Sequence, residues 1–450
     1  MFSKILIANR GEIAVRVIRA CREMGIQTVA VYSEIDRESL HANLADEAIC
    51  IGPNSAKDSY LNIENIISAT ILTGAEAIHP GFGFLSENPK FAAICESCNI
   101  KLIGPSKEAM SLMGDKAKAR EVMKDSGIPV TPGYEGIIED KGKLYEIGES
   151  IGYPLMIKAV SGGGGKGIRI VNSKEELLKS FNVAKAEAKA SFNDDRVYLE
   201  KYIQKPHHIE FQILADSKGN VVHLGERDCS MQRRNQKILE EAPSSFIDDS
   251  LRKKMGEIAV KAAKAANYEG AGTIEFLVDK DKNFYFMEMN TRIQVEHPIT
   301  EMITDIDIVK EQIKISYGEA LSIRQEDIKI QGHAIECRIN AEDPYKNFMP
   351  YAGTIENMIL PGGFGVRIDT GVYSGYKIPP FYDSMICKVI VHDKNRIDAI
   401  NKMKRSLFEM VIEGVETNIN FHFDILNHED FEHGNYDTSF LENKLVKNNA

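Results

Sequence analysis

The first hundred residues alternate short apolar runs with helical patterns, and this alternation is the strongest constraint on the fold. The apolar runs are KILIA (4–8), TVAVYS (28–33), EAIHP (76–80) and KLIGP (101–105). One face of the helical segment after the first run, which ends near Gly25, carries Ile13, Val17, Cys21 and Met24. This order predicts a β-α-β unit and a parallel sheet covered by helices. The first turn reads NRG rather than GxGxxG, so the segment does not predict a dinucleotide site.

The pattern changes after about residue 131. A glycine run lies between the apolar segments YPLMIKAV and GIRIV, and RVYLEKYI follows. HIEFQILAD, TIEFLVD and NFYFMEMN then have the length and the turn residues of antiparallel strands. Short strands resume after about residue 331 with HAIECRIN (333–340) and SMICKVIVH (384–392). The 450 residues therefore predict about three domains, with an α/β segment first and α+β segments after it.

Composition and charge narrow the function classes. The 55 basic and 66 acidic residues give a net charge of −11, which argues against a general nucleic-acid binder. The N-terminus carries Glu12 early, and no apolar stretch is long enough to cross a bilayer. We therefore expect a cytoplasmic protein, without a membrane partner, that holds any anion by local cations. Cys95 and Cys98 form a CxxC, but their surroundings favour a helix packed on a core over a redox or metal pair.

A glycine run, Gly162–Gly165, is followed by Lys166 and Gly167. Such a loop can close over phosphates and present backbone N–H groups to them, although alone it is equally consistent with a hairpin tip. The spacing is not that of a P-loop. Lys158 on the preceding strand and Lys116 in GDKAKAR favour a phosphate site, because ammonium groups neutralise phosphate. The segment therefore predicts a site for a triphosphate.

Two carboxylates and an amide lie on neighbouring strands. Glu275 is in TIEFLV, and strand alternation in NFYFMEMN predicts one face made of Phe284, Phe286, Glu288 and Asn290. Glu275, Glu288 and Asn290 offer hard oxygen ligands, which Mg²⁺ takes when it is shared with nucleotide phosphates. Solvent-facing acids on an edge strand are the alternative. The polar run TRIQVEH directly after the second strand favours the metal site.

A third set of residues is cationic. Its members are Arg227, Arg233, Arg234, Lys237, Arg292 and Arg338. Charge runs usually cover a solvated face, but here glutamines are interleaved and ILEEAP follows directly. A cluster of this kind can also hold a small polar anion. The spacing leaves open whether these cations converge.

Together these strings resemble the biotin carboxylase family along nearly the whole chain. The segments that carry the resemblance are IANRGEIAVR, HPGFGFLSEN, LMGDK, MIKAVSGGGGKGIR, LEKYI, ERDCSMQRR, EMNTRIQVEHPITEMITDID, HAIECRINAED and PPFYDSM. The resemblance implies three domains. They are a Rossmann-like N-terminal domain at 1–114, an ATP-grasp domain at 115–330 with a glycine-rich lid at about 131–203, and a biotin carboxylase C-terminal domain at 331–446.

The resemblance also implies roles for single residues. The residues implied for ATP are Lys116, Lys158, Gly164, Gly165, Glu200, Lys201, Tyr202, Ile203, His208, Glu275 and Glu288. Those implied for Mg²⁺ or Mn²⁺ are Glu275, Glu288 and Asn290, and those for bicarbonate are Lys237, Arg292 and the backbone of Val295. The implied catalytic set is Glu296, Arg292, Arg338 and Lys237. In this set Glu296 is the base that deprotonates bicarbonate, and Arg338 lies beside the ureido group of biotin.

Two positions depart from the family pattern. Asn235 stands where the family commonly has His, and Phe82 stands where it has Tyr. We expect the first departure to affect nucleotide ribose contacts and the second to affect biotin affinity. Neither removes a charge from the implied catalytic set.

The implied activity is ATP-dependent carboxylation of carrier-bound biotin by bicarbonate, through carboxyphosphate, as the first half-reaction of acetyl-CoA carboxylase. The alternatives are the same catalyst in a two-subunit pyruvate carboxylase or another acyl-CoA carboxylase, a different ATP-grasp carboxylate ligase, and a nucleotide-binding regulatory protein. The sequence has no AMKM-type biotinyl motif. We therefore expect biotin carboxyl carrier protein and carboxyltransferase as partner chains. Arg19 and Glu23 resemble contact residues of the family's homodimer, although a solvated helix face explains them equally well.

Overall fold

The computed structural model describes residues 1–134, 138, 141–159, 168–192 and 194–446. The predicted glycine loop, including Gly164 and Gly165, lies outside the described residues. None of the helices in the described ranges is long and apolar enough to cross a membrane.

The N-terminal segment folds into a parallel sheet with helices. Its strands are β1 (Lys4–Ile7), β2 (Gln27–Tyr32), β3 (Glu47–Cys50), β4 (Ala77–His79) and β5 (Lys101–Leu102), in the order β3-β2-β1-β4-β5. The helices are α1 (Gly11–Glu23), α2 (Leu40–Leu44), α3 (Ile63–Thr73) and α4 (Pro89–Ser97). The predicted parallel sheet is thus confirmed. The strand order reverses between β1 and β4, and the crevice outside the carboxyl ends of strands at such a point is where ligands bind.

Helix α1 has the predicted apolar face, because Ile13, Val17 and Cys21 are buried. The residues beside this face are also covered near the start of the helix, since Glu12 and Arg16 are buried as well. The cover is supplied in part by β19 (Val366–Thr370), a strand from the C-terminal segment. An amphipathic pattern read from the sequence alone does not anticipate this second contact, because its residues are charged.

A small antiparallel sheet follows the paired helices α5 (Lys107–Gly114) and α6 (Lys116–Asp125). Its strands are β6 (Gly133–Tyr134), β7 (Leu155–Ala159), β8 (Ile168–Val171) and β9 (Val197–Lys201), in the order β6-β9-β7-β8. Helices α7 (Lys141–Ile151) and α8 (Lys174–Phe192) pack on it around one apolar core. The sheet therefore has its own core, separate from that of the large sheet.

The large sheet has eight strands in the order β14-β13-β10-β11-β12-β15-β20-β19. Beyond β19 they are β10 (His207–Ala215), β11 (Val221–Arg233), β12 (Gln236–Ala242), β13 (Gly270–Val278), β14 (Phe284–Asn290), β15 (His333–Asn340) and β20 (Met385–Asp393). Adjacent strands are antiparallel, which confirms the prediction made for β10, β13 and β14. Because β12 pairs with β15, the sheet runs without a break from the central into the C-terminal segment.

The remaining elements cover this sheet or lie at its end. The helices are α9 (Asp249–Ala265), α10 (His297–Thr304), α11 (Ile308–Tyr317), α12 (Arg396–Glu409), α13 (Ile419–Leu426) and α14 (Glu429–Glu432). The short strands are β16 (Glu342–Asp343), β17 (Met349–Pro350), β18 (Asn357–Ile359) and β21 (Val411–Glu413). Among the helices, α10 begins directly after a segment that borders the cleft described below.

One detail of β14 corrects the sequence interpretation. Phe284, Phe286 and Met289 pack in the core, whereas Glu288 lies opposite Glu275 of β13. The register between these strands shifts by one residue at Met287, which is a β-bulge. The prediction of one face shared by the two phenylalanines, Glu288 and the following amide was therefore wrong, because a bulge reverses the alternation.

Candidate active site

A cleft of about 1080 Å³ opens between the turn after β1, the small sheet and the large sheet. Its walls include every predicted site residue that the structure describes. These are Lys116, Lys158, Glu200, Lys201, Tyr202, Ile203, His208, Lys237, Glu275, Glu288, Asn290, Arg292, Val295, Glu296 and Arg338. The sequence interpretation therefore selected residues that converge, although they come from segments more than 200 positions apart.

The floor of the cleft is built by alternation along β10. Glu210 faces Glu275 across the β10–β13 pair, and His208 lies one alternation step from Glu210. The His208 Nε2 atom lies 2.9 Å from Glu275 Oε2. Burial lowers the pKa of His208, but the adjacent Glu275 carboxylate outweighs this effect and the pKa is raised. The imidazole is thus suited to carry positive charge toward an anion.

Glu275 collects several donors on one carboxylate. Its Oε1 atom accepts from Asn290 Nδ2 at 2.7 Å, from Gln294 Nε2 at 3.1 Å and from Lys237 Nζ at 3.1 Å. Burial alone would raise its pKa, but Lys237 and His208 hold the pKa well below its usual range. The group is therefore ionised although it is buried.

The oxygen donors on this wall fit a divalent metal ion. Glu288 lies opposite Glu275 in register, and its Oε2 atom is 3.2 Å from Lys116 Nζ. Asn290 presents Oδ1 to Arg292 at 3.0 Å. Two carboxylates and an amide oxygen are the hard ligands that Mg²⁺ and Mn²⁺ prefer. The chemistry of the donor set is therefore compatible with either ion.

A line of alternating charges crosses the cleft. Lys237 Nζ lies 2.6 Å from Glu210 Oε2 and 2.6 Å from Glu296 Oε1. The other oxygen of Glu296 accepts from Arg338 Nη2 at 2.9 Å. Burial raises the pKa of Glu296, but Lys237 and Arg338 outweigh it and hold the pKa well below its usual value. Glu296 is therefore a fully buried, ionised carboxylate shared by two cations.

Arg338 has a second acidic partner. Its guanidinium forms an ion pair with Glu240, which is fully buried on β12. Burial raises the pKa of Glu240 to about 7, although Arg338 works in the opposite direction. The two acids beside Arg338 therefore differ in pKa, because Glu296 contacts two cations and Glu240 contacts one.

The segment after β14 is fixed by side chains from distant parts of the chain. Arg292 donates to Glu87 Oε2 at 2.9 Å and to Gln294 Oε1 at 2.8 Å. The backbone carbonyl of Val295 accepts from Lys388 Nζ at 2.8 Å. The guanidinium of Arg292 is thus held at the edge of the cleft by groups that lie 205 and 2 residues away.

The opposite end of the cleft has a different chemistry. Lys158 on β7 pairs with Glu200 on β9. The Lys201 ammonium donates to the Gly152 and Tyr153 carbonyls at 3.1 and 3.0 Å. The side chain of Lys201 therefore fastens β9 to the loop before β7, and residues 200–203 border the cleft where β9 ends.

The predicted cationic set divides in the structure. Lys237, Arg234, Arg292 and Arg338 border the cleft. Arg227 is fully buried behind it, where it donates to Glu210 and to Gln212. Arg233 stacks on the ring of Phe348, 4.1 Å from its centroid. The hypothesis of one converging cluster therefore holds for four of the six cations.

Asn235 and Phe82, the two positions that depart from the family pattern, also lie on the cleft wall. Asn235 adopts φ +63° in the tight turn between β11 and β12, where Arg234 also has positive φ. Asn tolerates this conformation better than most residues, so the turn gives Asn235 a structural reason. Phe82 borders the cleft and packs beside the core of the N-terminal sheet.

Sequence reasoning missed several groups of the site. Glu210 was predictable, because alternation in HHIEFQ places it on the same face as His208. Cys229 has no evident base partner in the sequence, yet its Sγ atom lies 3.9 Å from Glu296 Oε1. Burial raises the pKa of this thiol well above its usual value. Glu87 and Lys388 gave no signal, since each meets the site through contacts that span 93 residues or more.

Three family models match the chain. "Biotin carboxylase, N-terminal domain" matches residues 1–110, "Carbamoyl-phosphate synthase L chain, ATP binding domain" matches residues 115–324, and "Biotin carboxylase C-terminal domain" matches residues 336–443. The matches follow one another in the order that the sequence resemblance implies.

Full-length relatives show the same similarity. Biotin carboxylase 1 of Bacillus subtilis is 58% identical over 443 residues, which are 98% of this chain and 98% of that protein. A pyruvate carboxylase subunit of Methanothermobacter thermautotrophicus is 54% identical over 442 residues, which are 98% of this chain and 90% of that protein. The biotin carboxylase domain dimer of Hydrogenobacter thermophilus 2-oxoglutarate carboxylase, solved with MgADP, ADP and bicarbonate, is 52% identical with a TM-score of 0.92. That match covers 98% of this chain and 97% of the other.

Proposed function

The chain belongs to the biotin carboxylase family and is an ATP-dependent ligase of that kind, and from this premise we propose that it serves an acetyl-CoA carboxylase. Its role there is to carboxylate the biotin of a biotin carboxyl carrier protein, from which a carboxyltransferase takes the carboxyl group. Relatives named biotin carboxylase support this assignment. Relatives named as parts of pyruvate and 2-oxoglutarate carboxylases, at 54% and 52% identity, support those complexes as the second candidate.

One observation carries the proposal: Glu296 lies between Lys237 and Arg338, with contacts of 2.6 and 2.9 Å. A carboxylate between two cations can deprotonate a substrate only if those cations can turn to anionic or polar partners. Bicarbonate on Lys237 and the ureido oxygen of biotin on Arg338 are such partners. The geometry thus supports a base for bicarbonate that lies between the proposed bicarbonate and biotin positions.

We propose that ATP, with Mg²⁺ or Mn²⁺, binds at the end of the cleft that lies away from Arg338. Phosphate ligands are proposed as Lys116, Lys158, His208, Gly164 and Gly165, and the adenine wall as Glu200, Lys201, Tyr202 and Ile203. Glu275, Glu288 and Asn290 would hold the metal ion, which when bound neutralises phosphate charge. The relative solved with MgADP and bicarbonate supports this assignment.

In the proposed reaction, Lys237, Arg292 and the backbone of Val295 bind bicarbonate, and Glu296 takes its proton. An oxygen of the deprotonated bicarbonate attacks the γ-phosphorus of ATP. The bond between the γ-phosphorus and the β–γ bridging oxygen breaks, and ADP leaves. Carboxyphosphate then separates into CO₂ and phosphate. Phosphate accepts the N1′ proton of biotin, N1′ bonds to CO₂, and Arg338 stabilises the charge on the ureido oxygen.

The low pKa of Glu296 adds a condition to this scheme. Held by both cations, Glu296 is a weak base. When Lys237 turns toward bicarbonate and Arg338 toward biotin, the carboxylate loses positive neighbours and its pKa rises. Proton removal therefore becomes efficient only when both substrates are present, which limits wasteful cleavage of ATP.

We further propose the domain boundaries 1–114, 115–330 and 331–446, with a lid at about 131–203, and a homodimer. The family-model ranges support the boundaries, and the dimeric relative supports the homodimer. Arg19 is exposed on α1, as a contact residue must be. Glu23, also exposed, already pairs with Lys310 Nζ at 2.6 Å within the chain.

The test is to measure ADP release with bicarbonate, with and without free biotin. We expect ATP cleavage that requires bicarbonate and is stimulated by biotin. ADP release that ignores biotin and follows an amino acid would instead support another ATP-grasp ligase. A nucleotide-binding regulatory protein would bind ATP without turnover. Incubation with purified carrier proteins of acetyl-CoA and pyruvate carboxylases, followed by detection of carboxylated biotin, separates the two candidate complexes.

A further inference from the structure

Lys388 is a fully buried lysine on β20 that the reaction scheme does not use. Its Nζ atom donates to the backbone carbonyl of Val295 at 2.8 Å. It also lies 3.1 Å from Glu12 Oε2 and 3.9 Å from Asp369 Oδ2. Taking an ammonium out of water costs several kcal/mol, and an apolar side chain fills such a space at lower cost. The charge of Lys388 therefore calls for a reason beyond packing.

The position of Lys388 in the sheet relates it to the site. It lies directly opposite Arg338 of the neighbouring strand β15, so the two side chains project on the same face. Arg338 contacts the side chain of Glu296, and Lys388 contacts the backbone of the residue before it. Two adjacent cations of the C-terminal segment thus hold two consecutive residues of the central segment.

The backbone at Val295 is fixed on both sides. The carbonyl of Gln294 accepts from His297 Nδ1 at 2.8 Å, which fixes the peptide plane that contains the Val295 N–H. Lys388 holds the following carbonyl and so fixes the next plane. Because each peptide unit is planar, these two contacts together set the backbone dihedrals of Val295. The Val295 N–H, a proposed bicarbonate ligand, lies in the first of these planes, which His297 holds directly and Lys388 restrains through the dihedrals of Val295.

Glu12 connects this arrangement to the N-terminal sheet. It is buried at the start of α1, directly after the turn that borders the cleft. A Cβ atom on Gly371 would lie 2.6 Å from the carbonyl carbon of Gly11, so the two backbones are in close contact. This approach is possible because residue 371 is glycine, and it brings the Glu12 carboxylate within reach of Lys388. Burial raises the pKa of Glu12, and Lys388 opposes that effect.

We propose that Lys388 is a positioning residue for the bicarbonate site: anchored by Glu12, its ammonium holds the Val295 carbonyl and thereby the backbone that binds bicarbonate. The inference rests on the proposed function. It assigns the bicarbonate site a support made of all three segments of the chain, since Glu12, Val295 and Lys388 come one from each. ATP binding, at the other end of the cleft, does not depend on this contact.

The experiment compares steady-state kinetics of Lys388→Met with those of the wild-type protein and of Lys402→Met. Lys402 is a matched control, because it also donates to a backbone carbonyl, that of His392 at 2.7 Å, and pairs with Asp393 at 2.8 Å. Its contacts lie outside the cleft. For Lys388→Met we expect the KM for bicarbonate to rise about 10- to 100-fold, as the loss of one charged hydrogen bond implies, with the KM for ATP within about twofold. Lys402→Met should leave both constants near those of the wild type.

A second variant, Glu12→Gln, keeps the volume of Glu12 and removes its charge. Its KM for bicarbonate should rise by a smaller factor, about threefold or more. If Lys388→Met does not fold, this variant decides. The inference is overturned by an unchanged KM for bicarbonate in the folded variants, or by an equal rise of both KM values. Wild-type protein without bicarbonate-dependent turnover would overturn the proposed function and the inference with it, whereas wild-type turnover with unaffected variants overturns the inference alone.

Discussion

Replacing Glu296 with Gln tests the central step, because it removes the charge of the proposed base and keeps its shape. Glu296 is fully buried and is contacted by Lys237 and Arg338. Neither cation is left without an acid in the variant, since Lys237 retains Glu210 and Arg338 retains Glu240. We therefore expect the variant to fold, with a loss of about 1–3 kcal/mol in the free energy of unfolding.

The expected loss of activity is larger. A positioned general base contributes a factor of about 10²–10⁴, which is about 3–5 kcal/mol of barrier. The structure also gives the size of the cation effect on the base. At an effective dielectric constant of about 20, each ion pair of Glu296, at 2.6 and 2.9 Å, contributes about 6 kcal/mol before burial opposes it. Moving one cation to about 5 Å halves that value and strengthens the base by a factor of about 10².

The assay measures bicarbonate-dependent ADP release at saturating ATP, with and without free biotin. Glu296→Gln should lower kcat by at least about 10²-fold and abolish biotin stimulation, while nucleotide binding by calorimetry stays within about threefold. Glu301→Gln is the matched control, because Glu301 is also a buried carboxylate shared by two cations, Arg16 at 2.9 Å and Arg367 at 2.7 Å. Turnover of Glu296→Gln equal to that of Glu301→Gln would remove Glu296 from the mechanism.

Three further predictions concern the same cleft. Arg338→Met should abolish biotin stimulation and should not lower biotin-independent ATP cleavage, because Lys237 still faces the bicarbonate position and Glu296 loses one of the two cations that weaken it as a base; an equal loss of both rates would contradict the role of Arg338. Glu288→Gln should raise the Mg²⁺ concentration for half-maximal rate about tenfold or more, and an unchanged requirement would exclude it as a ligand. Burial raises the pKa of Glu240 from 4.5 to about 7, so the folded state binds this proton more tightly than the unfolded state. The resulting stabilisation of the folded state is complete below pH 4.5 and is lost as the pH rises through 7. Urea titrations at pH 6 and pH 8 measure this effect as a change in the free energy of unfolding. Between these pH values the free energy should fall by about 1 kcal/mol more in the wild type than in Glu240→Gln. The same pH dependence in both proteins would refute the raised pKa of Glu240.

The sequence predicted the parts of the fold that depend on local periodicity. The β-α-β start and the antiparallel strands follow from alternation and turn residues, and the structure has both. The bulge at Met287 was not predictable, because an extra residue in one strand leaves no mark on composition. The pairing of β12 with β15 also had no local signal, since 90 residues lie between the end of one strand and the start of the other. Long-range pairing depends on the whole sheet.

The candidate site also divides into residues that the sequence predicted and residues that it did not. Residues with charged side chains in recognisable strings, such as Lys237 and Glu288, were found and do line the cleft. Their partners were not found where the contact comes from another segment. Glu87 reaches Arg292 across 205 residues, and Lys388 reaches Val295 across 93. A pattern in one stretch of sequence reports the groups that a ligand meets, whereas the groups that orient them are defined only by tertiary packing.

The burial of so many charges in one cleft has a physical consequence for how the segments stay together. Glu210, Lys237, Glu296, Arg338 and Glu240 alternate in sign along one line, and their strands β10, β12 and β15 belong to a single sheet. Loss of Arg338, for example, leaves Glu240 without its cationic partner, and an unpaired buried charge is more costly than the pair is favourable. The central and C-terminal segments are therefore bound to each other by the same ions that are proposed to act on bicarbonate and biotin. A substitution on this line should change stability and turnover together, and only a comparison with Glu301→Gln or Lys402→Met, whose ions lie off the line, separates the two effects.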